Sequence, residues 1–106
     1  MTTHVTQIVK ELQTQLRRLY GSILVKMILY GSQARGDAQE GSDIDVLIVL
    51  KGDVHPSEEV SRVIPITSAL SLQNNMVISC AFISEENLGK LDNPFLLNVQ
   101  REGVPV

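Results

Sequence analysis

Three short segments of mostly aliphatic side chains constrain the fold more than any other feature of the sequence. They are Ile23–Tyr30, Asp43–Leu50 and Met76–Ile83, and each is eight residues long. Length and β-branched content together favour buried strands over helices in such runs. The sequence therefore predicts a small sheet of about three core strands.

The first segment with a helical pattern precedes these strands. Over residues 4–20, apolar side chains recur at helical spacing, and Gly21 is a typical helix end. The residues predicted to face the core are Val5, Ile8, Val9, Leu12, Leu16 and Leu19.

Two further helices are predicted between the strands. The glycine-containing segment after the first strand has room for a short helix over residues 33–39. A longer helix is predicted from Ser57, as its N-cap, to Gln73. Pro65 lies inside that helix and is expected to kink or split it, because proline removes a backbone hydrogen bond.

The end of the chain adds two helices. Ser84 is expected to cap a short helix that begins at residues 85–86, and the last helix is predicted over 94–101, ended by Gly103. The residues of the last helix expected in the core are Leu96 and Val99. Helices alternating with strands predict an α/β (α+β) fold, a small mixed sheet with helices packed on it.

Composition limits the class of protein. A chain of 106 residues, 43% hydrophobic and 20% charged, fits one domain over residues 1–106. Its single cysteine, Cys80, excludes an intramolecular disulfide and is expected to be a small buried thiol. A net charge of −3 argues against direct nucleic-acid binding. With no apolar run near ~20 residues and no signal peptide, we expect a cytoplasmic protein without a membrane partner.

Two aspartates at the start of the second strand are the first candidate site. Asp43 and Asp45 are separated by one residue, so on a strand their side chains point to the same face. Carboxylates so close repel each other unless a cation lies between them, and Mg²⁺ takes one or two carboxylates together with waters and phosphates. The pair predicts a metal site for a nucleoside triphosphate. A solvated strand end with two unrelated acids is the alternative.

A Gly-Ser turn at the end of the first strand is the second candidate. Gly31 allows a close approach of the backbone, and Ser32 offers a hydroxyl and a backbone N–H to an anion. An ordinary strand-to-helix turn is the alternative. Arg35 follows closely and is positioned either to reach a phosphate or to pair with an acid of the site, or else is a surface arginine.

Taken together, these features resemble a known family. The strings G-S-Q-A-R-G-D-A (31–38) and S-D-I-D-V-L-I-V (42–49) are similar to the motif of the polymerase-β-like nucleotidyltransferase superfamily, in its minimal nucleotidyltransferase branch. Members of this branch are often antitoxins paired with a HEPN-domain ribonuclease toxin. The resemblance implies the nucleotidyltransferase fold and a hetero-oligomer with such a toxin.

The resemblance also implies roles for individual residues. Gly31 and Ser32, with Arg35 nearby, would bind the nucleotide, and Asp43 and Asp45 would be the catalytic residues that bind Mg²⁺. The implied reaction is transfer of AMP from ATP to a hydroxyl of the toxin, which neutralises it.

One residue type of the family pattern is missing. The superfamily usually supplies a third carboxylate from the third strand, and residues 73–83 contain no acid. Asn75 is the best positional match for this third ligand, and Ser79 is the alternative. An asparagine offers a carbonyl oxygen but cannot act as a base. Two other hypotheses therefore stay open: an antitoxin that acts by binding and occlusion, and one subunit of a small-molecule nucleotidyltransferase.

Overall fold

The computed structural model describes residues 2–90 and 92–106. The helices are α1 (Thr3–Tyr20), α2 (Ser32–Arg35), α3 (Pro56–Asn74), α4 (Glu85–Lys90) and α5 (Pro94–Glu102), with a 3₁₀ turn at Gly21–Ile23. The strands are β1 (Leu24–Tyr30), β2 (Ile44–Leu50), β3 (Ile78–Ser84) and β4 (Val104–Pro105). The predicted order of helices and strands is confirmed, and β4 adds a strand that the sequence did not predict.

The strands form one mixed sheet in the order β3-β2-β1-β4. Strand β1 pairs antiparallel with β2 and with the two residues of β4, while β2 pairs parallel with β3. The central strand β2 is covered on both faces, and the side chains of Val46–Leu50 are at most 3% exposed. A strand that is buried on both sides needs a continuous apolar sequence, which explains the run after Asp45.

Helices cover both faces of the sheet. One face packs against α1 and α3, where the β2 side chains Ile44, Val46 and Ile48 lie in the larger core cluster. The other face packs against α4 and α5, where Leu47 and Val49 meet the second cluster. The alternation of side chains along β2 thus divides the core into two layers. None of the helices in residues 2–90 and 92–106 is long and apolar enough to cross a membrane.

The core face of α1 is predicted correctly except at its end. The first five predicted residues, Val5 to Leu16, are buried, but Leu19 is 44% exposed and Tyr20 is buried in its place. The stripe continues from Leu16 to Tyr20 because residues four apart lie on one helix face.

Helix α3 differs from its prediction in two ways. It begins at Pro56, and the residue that precedes the helix is His55, so Ser57 is not the N-cap. Proline favours this first position because its fixed φ suits a helix and its missing N–H has no partner there anyway. Helix α3 also continues through Pro65 without interruption, so the prediction that Pro65 splits the helix is wrong.

Other boundaries shift for local reasons. Helix α2 is a single turn, shorter than the predicted 33–39, because Gly36 ends it in the left-handed conformation. Strand β3 begins at Ile78, because Asn75 caps α3 with φ 52° and Met76 still donates its N–H to the carbonyl of Ser71. Ser84 caps the next helix as predicted, since its Oγ accepts the N–H of Asn87 at 3.1 Å.

The last helix and the cysteine agree with the sequence. Leu96 and Val99 are buried against the sheet, and Gly103 follows the end of α5. Cys80 is partly buried against the larger core cluster, and burial raises the pKa of its thiol to about 12. A thiol with this pKa is almost entirely protonated at neutral pH, and it is therefore a poor nucleophile.

A buried polar contact joins α1 to α3. The Tyr20 hydroxyl donates to Oε1 of Glu59 at 2.8 Å, and Arg62 also donates to this carboxylate at 2.9 Å. Glu59 is only 8% exposed, so it depends on both partners. We expect Tyr20→Phe to lower the free energy of unfolding by roughly 1.5–3 kcal/mol, the contribution of one hydrogen bond to a charged acceptor. Urea unfolding at pH 7 measures this, and an unchanged midpoint would contradict it.

Candidate functional site

Three neighbouring strands place polar side chains in one row across the sheet. Asp45 on β2 lies opposite Tyr30 on β1 and beside Ser79 on β3. Residues in register on adjacent strands share a face. This is the face that carries Leu47 and Val49 toward α4 and α5. The row therefore forms a polar end to the apolar layer between the sheet and helices α4 and α5.

The turn after β1 presses directly against this row. Gly31 has φ 76° and ψ −158°, a conformation that is essentially restricted to glycine. A Cβ atom built at Gly31 would lie 2.6 Å from Oδ2 of Asp45. Glycine at position 31 is thus required twice, by its backbone angles and by the carboxylate beside it. The fold brings the Gly-Ser turn and Asp45 together.

Helix α2 begins at this turn. The carbonyl of Gly31 accepts the N–H groups of Ala34 and Arg35, at 3.1 and 3.0 Å, which closes the single helical turn. Ser32 is the first residue of the helix and stands one residue beyond the Asp45 contact. A backbone N–H and a hydroxyl at the start of a helix are suitable donors for a phosphate group.

Burial and like charge make Asp45 the most perturbed acid of the site. Desolvation raises the pKa of Asp45, the negative charge of Asp43 raises it further, and Arg35 acts in the opposite direction. Among the described residues, no hydrogen bond or salt bridge joins either aspartate carboxylate to another side chain. Two unpaired carboxylates that repel each other form a site that a cation would stabilise.

The donor set fits magnesium. In residues 2–90 and 92–106 no group of three or more His, Cys, Asp or Glu side chains is arranged to hold a metal ion. Mg²⁺ does not require such a group, because it typically takes one or two carboxylates and completes its shell with waters and substrate phosphates. Asp43 and Asp45 supply two carboxylates, and the Gly-Ser turn beside Asp45 supplies donors suited to a phosphate.

Arg35 pairs with acids outside the aspartate pair. Its Nε donates to Asp37 at 3.1 Å and its Nη1 to Glu102 at 3.2 Å, and these contacts raise the pKa of the guanidinium. Glu102 lies at the end of α5, and no local sequence pattern indicated its proximity. Arg35 therefore connects the turn after β1 to the C-terminal helix while its charge acts on Asp45.

The two candidates for a third ligand lie in different places, Ser79 in the row and Asn75 outside it. Asn75 caps α3 and lines a cleft of about 640 Å³ together with Gln33 and Gly41, a cleft whose lining does not include the aspartates. Ser79, the alternative, lies in register beside Asp45. Because side chains in register share a face, the structure brings Ser79 to the aspartate and leaves Asn75 three residues before β3.

Tyr30 is a member of the row that the sequence analysis did not single out. Its position directly before Gly31 was the available signal. Its ring meets Phe95 of α5 edge-on, with centroids 5.4 Å apart, and Phe95 is 43% exposed. Burial and the nearby Asp45 raise the pKa of the Tyr30 hydroxyl, so it stays protonated and can donate to an anion.

Comparison with known proteins identifies a family model and relatives that match most of this chain. The family model "Nucleotidyltransferase domain" matches residues 9–92. "Putative protein adenylyltransferase MJ0604" of Methanocaldococcus jannaschii is 42% identical over 96 residues, covering 90% of each chain. "Putative protein adenylyltransferase MJ0141" of the same organism is 32% identical over 102 residues, covering 96% of this chain and 98% of its own.

Solved structures share the fold at low sequence identity. A crystal structure of a toxin–antitoxin with AMP-PNP has a TM-score of 0.58 at 18% identity, over 88% of this chain and 68% of that one. A mutant toxin–antitoxin MntA–HpeT has a TM-score of 0.56 at 16% identity, over 92% and 70%. A "putative nucleotidyltransferase" from Sulfolobus solfataricus has 0.54 at 19%, over 99% and 86%. The mixed sheet is thus that of the nucleotidyltransferase fold, and the chain belongs to the nucleotidyltransferase domain family.

Proposed function

We propose that this chain is an antitoxin that transfers AMP from ATP to a hydroxyl group of a HEPN-type ribonuclease toxin and so neutralises it. The names of the two archaeal relatives support protein adenylylation. The toxin–antitoxin neighbours, one of them with AMP-PNP, support a toxin as acceptor and an adenine nucleotide as donor. The proposal places the protein in the cytoplasm with its partner.

The observation that carries the proposal is the close approach of Gly31, in the Gly-Ser turn, to the carboxylate of Asp45. We assign Gly31 and Ser32 to the β- and γ-phosphates of ATP, and Asp43 and Asp45 to Mg²⁺. Because Gly31 lies close to Oδ2 of Asp45, phosphates bound at the turn would lie beside the carboxylate that would hold Mg²⁺. Arg35, now paired with two acids, would contribute positive charge near the phosphates.

The chemistry follows from these assignments. The acceptor hydroxyl attacks the α-phosphorus, the bond to the β-phosphate oxygen breaks, and pyrophosphate leaves while AMP stays on the acceptor. Bound Mg²⁺ would supply activation of the hydroxyl and neutralisation of charge on the leaving group. The turn and the aspartates hold the reactants in line, which is the main contribution of a protein to phosphoryl transfer. The hydroxyl proton passes to water, because Ser79 cannot hold it.

A second candidate function rests on one observation. Ser79 stands beside Asp45 where the family usually has a third carboxylate, and Asn75 carries none either. A site with a weaker base would still bind ATP and Mg²⁺. The chain would then neutralise the toxin by occlusion, with slow or no transfer.

Intact-mass measurement separates the two functions. The product of the neighbouring gene is incubated with this protein, Mg²⁺ and each of the four nucleoside triphosphates in turn. We expect the mass to increase in steps of one AMP with ATP. The double variant Asp43→Asn, Asp45→Asn should give no increase. Asp53→Asn, an equal change at an exposed turn residue after β2, is the matched control and should behave as the parent does.

Three other outcomes would change the conclusion. A tight complex with an unchanged mass would support occlusion. Equal modification by the double variant would remove the aspartates from the mechanism. Modification of a small hydroxyl compound with the toxin unchanged would indicate a small-molecule nucleotidyltransferase.

A further inference from the structure

The longest uncharged segment of the chain lies at the β3 end of the sheet. Residues 63–84 contain no Asp, Glu, Lys, Arg or His, although 20% of the whole chain is charged. The segment includes most of α3 and all of β3, which pack on each other. It also holds Ile64, Leu72 and Val77, which are 51%, 85% and 56% exposed. Exposed apolar side chains on an uncharged segment are a feature of interaction surfaces.

Strand β3 has an open edge on this side. It is the terminal strand of the sheet, and in residues 2–90 and 92–106 no strand pairs with its outer edge. The N–H of Ile44 donates to the carbonyl of Val77 at 2.9 Å. In a parallel pair this bond determines which residues of β3 direct their N–H groups toward β2. The residues of β3 with N–H groups toward β2 are Ser79, Ala81 and Ile83. Those with N–H groups toward the open edge are Ile78, Cys80 and Phe82.

The edge lacks the usual protection against pairing. Natural edge strands carry charges, prolines or bulges that prevent another strand from adding to them. Strand β3 has no charged residue and no proline, and its pairing with β2 is regular over all seven residues. An unprotected edge of this length is a template for another strand.

The side chains of this edge are arranged symmetrically about Cys80. Reading outward, the chain has small Ser79 and Ala81, then large Ile78 and Phe82, and then Val77 and Ile83. A two-fold axis at Cys80 would therefore set each residue opposite one of the same kind in an antiparallel pair. Such self-complementarity is the requirement for a two-fold interface. On both sides of the axis, Ile78 would pair with Phe82, both of which are already largely buried within each chain, and the more exposed Val77 with Ile83.

We propose that two copies of this chain associate through antiparallel pairing of their β3 edges, with Cys80 on the two-fold axis. The pairing extends the sheet from four strands to eight. Charge favours a second copy at this edge, because a chain with a net charge of −3 repels its own copies at faces that carry the acids. The seven residues of β3 that would enter the pairing carry no charge, so no like charges meet along the paired strands. The proposal does not depend on the nucleotide chemistry.

Amide hydrogen exchange of the unmodified protein tests the pairing without any substitution. Sedimentation equilibrium should first give a mass of about twice 11.7 kDa. In the dimer, the edge-facing amides of Ile78, Cys80 and Phe82 should be protected, and dilution to the monomer should release them. The amides directed toward β2 should stay protected in both states and serve as an internal control. A mass of 11.7 kDa at ~100 μM, with rapid exchange of the edge-facing amides, would overturn the proposal.

Substitution at the axis provides a second test. Cys80→Pro removes one edge-facing N–H and no hydrogen bond to β2, a position at which strands accept proline. We expect it to shift the protein to a monomer, whereas Cys80→Ala, which keeps the N–H, should remain a dimer. Circular dichroism verifies that both variants fold. If Cys80→Pro does not fold, the hydrogen-exchange experiment on the unmodified protein decides between dimer and monomer. Protection of the edge-facing amides only after the toxin is added would overturn self-association in favour of a toxin strand.

Discussion

Gly31→Ala is expected to reduce the proposed AMP transfer by at least about 100-fold, the loss that follows a misplacement of ~1 Å in a reacting group. The new Cβ would lie 2.6 Å from Oδ2 of Asp45, so the carboxylate or the turn must move. The free energy of unfolding should also fall by roughly 1–3 kcal/mol, because the backbone angles of Gly31 are restricted to glycine. Intact-mass kinetics and urea unfolding measure the two effects.

Gly36→Ala is the matched control for this substitution. Gly36 also has a positive φ, 84°, but a Cβ built there meets no atom within 4 Å. We expect a comparable loss of stability from the backbone angle and little loss of activity. If the two variants transferred AMP equally well, the contact between Gly31 and Asp45 would have no role in catalysis.

Asp45→Asn is expected to change activity and stability in opposite directions. Transfer should fall at least about 10²–10³-fold, as on removal of one preorganised charged group. The thermal midpoint without Mg²⁺ should rise by roughly 2–4 °C, corresponding to ~0.5 kcal/mol for a site still partly open to water. The reason is that burial and Asp43 both raise the pKa of Asp45, so its ionised form destabilises the free protein at neutral pH.

The pH dependence checks the sign of this effect. A carboxyl group whose pKa is raised by folding stabilises the fold when protonated, and this contribution is lost as the pH rises through its folded pKa. The stability advantage of Asp45→Asn should therefore be present at pH 7 and disappear on acidification toward about pH 4. Mg²⁺ with ATP should raise the midpoint of the parent and leave that of the variant unchanged. A variant less stable than the parent at pH 7 would refute the electrostatic account.

The local parts of this molecule could be predicted from the sequence. The three core strands follow from apolar runs whose pattern is complete within eight residues. Gly31 directly follows β1 and Asp45 lies at the start of β2. These strands are neighbours joined by a short connection, so the two residues lie close together. The cap at Ser84 and the helix end at Gly103 depend on contacts between residues close in sequence.

The parts that required the structure depend on distant residues or on register. Strand β4 has only two residues, which is too short for an alternating apolar pattern to predict a strand. Glu102 reaches Arg35 across 67 positions of sequence, at 3.2 Å. The choice between Asn75 and Ser79 depends on how β3 aligns with β2, which apolar content does not specify. The later start of β3 has a different, local cause, since the cap of α3 extends to Met76.

The pairing of Tyr30 with Asp45 has a consequence for how the chain can evolve. The backbone ladder between β1 and β2 fixes where the glycine turn meets the aspartate, and the loop between Gly36 and Ser42 adds no hydrogen bond to that ladder. Insertions or deletions in the loop would leave this geometry intact while reshaping the rim of the site. Descendants of such a chain could therefore change which acceptor they recognise, by loop length alone, without rebuilding the chemistry.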